Sequence, residues 1–83
     1  MTDAQRAALA QVAVIALALD RLGGTATVAA LSEGTGLPLP VVTRRLSHNG
    51  TSIMRPECRY FVKIYGGWRL TELGRALVGE RAT

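Results

Sequence analysis

The sequence predicts a single domain of the mainly helical α+β class, with four helical segments and one β-hairpin before the last of them. Three observations support this class. The chain has 83 residues, of which 48% are apolar, which is enough for one small hydrophobic core and too little for two. Helix-forming residues dominate the first quarter of the chain. Alternating side chains occur at 59–65, directly before two glycines. We therefore expect 1–83 to form one domain.

The first helix is predicted over about 4–22, with Asp3 as its N-cap and the pair Gly23 and Gly24 as its end. Its bulky apolar side chains cover more than half of the helix circumference. We expect one small domain to leave part of this arc uncovered, and this predicts a homodimer with the first helix in its interface. The alternative is a compact monomer with the first helix at its centre. The narrow face left for water is predicted to consist of Ala7, Gln11, Val14 and Ala18.

Three short segments come next. Thr25–Thr27 is predicted to be extended, and Thr27 then caps a second helix over Val28–Thr35 that ends at Gly36. A third helix of about 39–49 begins in a proline-rich first turn, which tolerates proline because its N–H groups have no partner within the helix. It is predicted to stop at Gly50. Its buried side is predicted to consist of Leu39, Val42 and Leu46.

A β-hairpin is predicted over 59–70, with its turn at Gly66 and Gly67. Strand alternation separates its first strand into two faces. The first face is predicted to hold Tyr60, Val62 and Ile64, and the second to hold Arg59, Phe61, Lys63 and Tyr65.

A last helix is predicted over about 72–81, with Thr71 as its cap. Gly74 and Gly79 are both expected to weaken it. Its apolar stripe is predicted to consist of Leu73, Ala76 and Leu77.

Positive charge is concentrated in the second half of the chain. Residues 42–83 carry seven Arg and one Lys against three Glu, whereas residues 1–41 carry two Arg against three acidic residues. A basic half of this kind indicates a polyanionic partner. Charge alone leaves a second reading open, in which the cations only keep a small protein soluble.

Several classes of function are disfavoured by composition. With one His, one Cys and scattered carboxylates, neither an enzyme nor a metal site is expected, and no cofactor is predicted. The single Cys58 cannot form an internal disulfide, which fits a reducing cytoplasm. The apolar stretch 7–19 is shorter than the roughly 20 residues of a membrane span, so we expect a buried helix and no membrane association.

Two runs of sequence carry a family resemblance. The two runs are VAALSEGTGLPLPVVTRRL at 28–46 and WRLTELGRAL at 68–77. They resemble the helix-turn-helix and the segment after the wing in winged-helix regulators of bacteria and phages, the MarR-like group in particular. The resemblance covers about 25–78. It implies a winged helix-turn-helix with a three-helix core, a two-stranded β-hairpin wing and a C-terminal helix.

The resemblance implies a regulator that binds double-stranded DNA, with helix 39–49 in the major groove and wing 59–70 on the backbone or in the minor groove. Arg44 lies near the middle of the exposed helix face and is expected to read a guanine edge, while Arg45 at the flank suits a phosphate. Three cations of the wing are expected on its outer face. The predicted DNA-binding residues are Thr43, Arg44, Arg45, Ser47, His48, Arg59, Lys63 and Arg69.

One departure from the family leaves an alternative open. The third helix starts with Pro38-Leu39-Pro40, where family members typically place polar residues that contact bases. An exposed edge of proline and leucine fits a protein partner instead. The alternative is therefore a winged-helix module that binds another protein.

Overall fold

The computed structural model describes residues 2–49 and 59–82. The predicted helical end at Gly50 and the thiol of Cys58 lie outside these ranges. The described chain is mainly helical α+β, with four helices and a small three-stranded antiparallel sheet, which confirms the predicted class. The elements in chain order are α1 (Asp3–Arg21), β1 (Thr25–Ala26), α2 (Val28–Thr35), α3 (Leu39–Arg44), β2 (Phe61–Ile64), β3 (Gly67–Leu70) and α4 (Glu72–Ala82).

The start of α1 differs from the prediction, because Thr2 and not Asp3 is its N-cap. The Thr2 hydroxyl accepts a 3.1 Å hydrogen bond from the Gln5 backbone N–H, and the Gln5 side chain accepts a 2.8 Å bond from the Thr2 N–H. This reciprocal pair satisfies two N–H groups that lack partners within the helix. Asp3 then lies in the first turn, where its carboxylate interacts favourably with the helix dipole.

The middle of the molecule is α1, which packs against α2, α4 and β3. Its side chains Val12, Ile15 and Leu19 have no exposed surface. One chain therefore covers the centre of the bulky arc, while Leu22 at its end is 48% exposed and Leu9 and Leu17 are half buried. Ala18, predicted to face water, is also buried: it packs beneath Gly34 of α2, where an added Cβ would stand 3.9 Å from the Ala18 Cβ.

The connection between α2 and α3 is held by local hydrogen bonds. Thr27 caps α2 as predicted, since its hydroxyl accepts from the Ala30 N–H at 3.1 Å. Gly36 ends α2 in the left-handed conformation, with φ of 77°, which glycine adopts without strain. The Ser32 hydroxyl then donates a 2.6 Å bond to the Leu37 carbonyl. These contacts fix the direction in which α3 leaves the turn.

The third helix continues beyond Arg44 without a break, but as a π-helical turn over Arg45–Asn49. Val42 and Leu46 are fully buried, as predicted. Leu39 was predicted to join them and instead is half exposed, because it lies in the first turn, at the end of the helix. The predicted helix of about 39–49 is thus one continuous helix, α-helical in its first part and π-helical in its second.

The sheet has three strands in the order β1, β3, β2, so the predicted two-stranded hairpin gains β1 as a third strand. Phe61 pairs with Leu70 and Lys63 pairs with Trp68. Directly paired residues project from the same face, and Phe61, Leu70 and Trp68 are buried. The face predicted for Phe61 is thus the core face. The face with Val62 and Ile64 is the outer one.

The last helix packs closely on the hairpin. The Gly74 N–H donates to the Thr71 hydroxyl at 3.1 Å, which confirms the predicted cap, and that hydroxyl donates in turn to the Arg59 carbonyl. The buried face contains Gly74 and Val78 with half-buried Leu77. The predicted stripe was wrong in two positions, since Leu73 and Ala76 are exposed. Gly74 is buried because α4 approaches the Tyr60 carbonyl too closely for a Cβ.

Candidate nucleic-acid interface

The exposed surface of α3 carries two of the predicted residues. Thr43 and Arg44 are exposed, whereas Val42, which directly precedes them, is fully buried. Successive helix positions are rotated by about 100°, so Arg44 lies almost opposite the buried side of the helix. Its guanidinium is therefore presented away from the core, on the exposed side of α3.

Arg45 is held in place by Gln11, which was predicted only to face water. Its Nε donates a 2.7 Å hydrogen bond to the Oε1 atom of Gln11 on α1. Both side chains are half buried. A signal for this contact was present in the sequence, since Gln11 is the one polar residue in the apolar stretch 7–19. Arg45 therefore points along the α1 side of the helix rather than outward with Arg44.

The predicted residues Ser47 and His48 lie in the π-helical turn. Ser47 is half buried. Hydrogen bonds from i to i+5 widen a π-turn relative to an α-turn, and positions after Arg45 no longer follow the 100° spacing used to predict their side. Ser47 is thus not fully exposed beside Arg44, and the side chain of His48 lies outside the described part of the chain.

The hairpin presents its cations differently from the prediction. Lys63 pairs with Trp68, and Arg69 pairs with Val62, so Lys63 and Arg69 are exposed on opposite faces of the hairpin. They were predicted on one outer face. Between them at the tip, Tyr65 is fully exposed, and Gly66 has φ of 86°, a value that the tight turn requires and that favours glycine.

Arg59 lies at the base of the hairpin and is half buried. Its carbonyl accepts the Thr71 hydroxyl, which ties the start of the hairpin to the cap of α4. Its Nε is buried, and no acceptor for it lies within residues 2–49 and 59–82. The structure therefore gives Arg59 a place in the packing at the hairpin base, away from the tip.

A shallow surface pocket lies beside Arg44. Its walls are Pro40, Val41, Arg44 and Arg45. The first two are apolar and the other two carry guanidinium groups, so the pocket has an apolar half and a cationic half. Across the described ranges, no three His, Cys, Asp or Glu side chains come together to hold a metal ion.

Comparisons with known proteins give no relative: no protein-family model matches the chain, and neither curated proteins nor solved structures show a significant match. Among residues 2–49 and 59–82, no helix has the length and apolar character needed to cross a membrane. The role of the surface around Arg44 must therefore be inferred from its own residues.

Proposed function

We propose that this chain is a winged-helix domain of a cytoplasmic transcriptional regulator that binds double-stranded DNA. In this proposal α3 enters the major groove, and the β2–β3 hairpin acts as the wing against the DNA backbone. The observation that carries the proposal is the position of Arg44, exposed on the second helix of a helix–turn–helix and opposite the buried Val42. A groove-binding helix needs one face on a support and the other free for base edges.

The chemistry of the exposed face supports this proposal. The planar fork of Arg44 matches the O6 and N7 acceptors of guanine. Thr43 beside it is exposed and offers a hydroxyl to a base or a phosphate. Arg45, held by Gln11, lies at the edge of the same helix, which suits a phosphate of the groove wall.

The hairpin supports it in a second way. Lys63 and Arg69 lie on opposite faces of the hairpin. When the hairpin tip enters a groove, each of the two cations therefore faces one of the two phosphate backbones that border the groove. Each phosphate contact releases counterions and makes affinity depend on salt. Tyr65 at the tip adds a phenolic hydroxyl within reach of the sugar-phosphate backbone.

We also propose that two copies form a two-fold pair through α1. The exposed positions Ala7, Ala10 and Val14 and the half-buried Leu17 follow one another at spacings of three and four residues, which is the spacing of a helix–helix seam. This strip is narrower than the bulky arc that the sequence suggested. Two-fold symmetry would present two recognition helices to half-sites about 10 base pairs apart.

The test is a binding measurement on duplex DNA over a range of salt concentrations. We expect the logarithm of the association constant to fall linearly with the logarithm of salt concentration. Arg44→Ala should weaken binding by about 1 to 3 kcal/mol and relax sequence preference, whereas Lys63→Ala should weaken all sequences alike and lower the salt slope by about one.

The matched control is Arg75→Ala, which removes an exposed arginine from α4 and leaves α3 and the hairpin intact. Its sequence preference should equal that of the unaltered protein. The proposal is overturned if binding does not depend on salt, or if Arg44→Ala and Arg75→Ala have the same effect.

One observation favours a second candidate function, the binding of another protein. Leu39 is 50% exposed, and Pro38 and Pro40 on either side are exposed too. An apolar edge of this kind suits a protein contact better than a phosphate. Under this reading Leu39→Ser abolishes partner binding, and that binding changes little with salt. Under the DNA-binding proposal, the same substitution adds no charge and leaves the affinity for DNA reduced at most slightly.

A further inference from the structure

We infer that the pocket beside Arg44 reads one dinucleotide: a thymine whose methyl group enters the apolar half of the pocket, next to a guanine that Arg44 binds. This inference rests on the proposed DNA binding and adds its sequence specificity. Two features carry it, namely the composition of the pocket walls and the spacing of those walls along α3.

The walls come from one side of the helix. Pro40 and Arg44 are four residues apart, and Val41 and Arg44 are three apart, so their side chains are neighbours on the helix surface. The fourth wall, Arg45, is fixed by its bond to Gln11. The position of this wall therefore does not depend on a ligand.

The apolar half of the pocket selects a methyl group. Among the four bases, only thymine presents a methyl group in the major groove. Pro40 is exposed and Val41 is half buried, so the ring and the two valine methyls offer an apolar surface that is still reachable from outside. Contact with the thymine methyl removes apolar area from water on both sides.

The cationic half selects the neighbouring base. Successive bases of one strand are stacked about 3.4 Å apart, whereas side chains three residues apart on a helix have Cβ atoms about 5 to 6 Å apart. The two side chains are therefore too far apart to contact the same base pair. The long, flexible side chain of Arg44 can bend toward the base pair next to the one that Val41 contacts. Guanine is the base whose O6 and N7 accept both N–H groups of an arginine fork.

The experiment first selects bound sequences from a random pool of duplexes with the full chain, and then changes single groups of the DNA. Replacing thymine by deoxyuridine removes only the methyl group. At one thymine beside a guanine, this change should weaken binding by about fourfold, the effect of one buried methyl-sized group. Replacing that guanine by 7-deazaguanine removes N7 and should weaken binding at least as much, by about fivefold or more.

Variants assign these two effects to the pocket. Val41→Ala should abolish the difference between thymine and deoxyuridine and leave the response to 7-deazaguanine intact. Arg44→Met keeps the length of the side chain and removes all of its N–H donors, so it should lose the response to 7-deazaguanine and retain the response to deoxyuridine. Leu39→Ala alters an exposed apolar residue of the same helix that does not line the pocket, and it should retain both responses.

Three results overturn the inference in distinguishable ways. If the protein binds DNA with a linear salt dependence but tolerates deoxyuridine at every thymine, the pocket does not read a methyl group and the proposed DNA binding stands. If no duplex is bound at any salt concentration, the inference and the proposed function fail together. A deoxyuridine effect that persists in Val41→Ala also overturns the assignment to this pocket.

Discussion

The Nε atom of Arg45 donates a 2.7 Å hydrogen bond to the Oε1 atom of Gln11, across a separation of 34 residues in sequence. This contact joins α1, the central helix, to the start of the π-helical turn. Both side chains are half buried. A hydrogen bond from a charged donor in such surroundings is stronger than one between neutral groups. It therefore fixes the turn that follows α3 relative to the core.

We predict that Gln11 and Arg45 are energetically coupled. Gln11→Ala removes the acceptor and should lower the free energy of unfolding by about 1.5 to 3 kcal/mol, since the bond involves a charged group. In a double-mutant cycle with Arg45→Ala, measured by urea unfolding, the coupling should be at least about 0.5 kcal/mol.

Arg44→Ala serves as the control, because Arg44 is exposed and neighbours Arg45. Its effect on the free energy of unfolding should stay within about 0.5 kcal/mol. Strict additivity of Gln11→Ala and Arg45→Ala would show that the bond contributes nothing to stability.

We predict opposite signs for two glycine substitutions in α4. A Cβ at Gly74 would collide with the Tyr60 carbonyl oxygen and would stand 2.8 Å from Leu70 Cδ2, whereas a Cβ at Gly79 meets nothing within 4 Å. Gly74→Ala should therefore destabilise the protein by about 1 to 3 kcal/mol, as overpacking does. Gly79→Ala should stabilise it by about 0.5 to 1 kcal/mol, because alanine is the better helix former.

Thermal unfolding of the two variants side by side checks this prediction. The sequence predicted that both glycines weaken the helix, and on that basis both alanines would stabilise it. An increase in melting temperature for Gly74→Ala would therefore contradict the close approach of α4 to the hairpin.

We predict that Val14→Glu dissociates the proposed homodimer. Val14 is 44% exposed in the middle of the α1 strip, so a glutamate there leaves the folded monomer intact and places a charge in the seam between two copies. Sedimentation at tens of micromolar protein should show a dimer for the unaltered chain and a monomer for the variant.

Gln5→Glu is the matched control for this experiment. It adds the same charge to the same helix, and glutamate keeps the capping box with Thr2. This variant should remain dimeric. A monomer for the unaltered chain at every concentration, or a dimer that tolerates Val14→Glu, would exclude the α1 interface.

The sequence predicted the ends of the elements better than their faces. Thr27, Gly36 and Thr71 act where they were expected to act, because a cap or a left-handed turn depends on one residue and its immediate neighbours. The faces depend on partners that are distant in sequence. Ala18 looked like a surface residue by size, and it is buried because Gly34 of another helix approaches it.

The hairpin face could have been derived from the sequence with one further step. The turn lies at Tyr65 and Gly66, one residue before the predicted Gly66 and Gly67, and it pairs Lys63 with Trp68 and therefore Phe61 with Leu70. Since Trp68 and Leu70 are large and apolar, their face must be the core face. The alternation of side chains within β2 alone could not show which face packs on the core, because both faces contain apolar residues.

The positions of the candidate site residues could be predicted from the sequence only within the regular α-helical part of the third helix, Leu39–Arg44. Arg44 lies on the outer side as expected, since it belongs to the α-helical part of the third helix. The bond between Arg45 and Gln11 and the π-helical turn depend on packing against α1, which no local pattern contains.

The position of β3 in the middle of the sheet determines when a newly synthesised chain can complete its core. The middle strand of the sheet is β3, and β1 pairs with it alone. During synthesis from the N-terminus, β1 leaves the ribosome long before β3, and α1 emerges without Trp68 and Leu70 to cover it. Because exposed apolar surface promotes aggregation, α1 is at its most aggregation-prone before residues 67–70 have emerged. The sheet and the core are then completed together, once β3 has emerged.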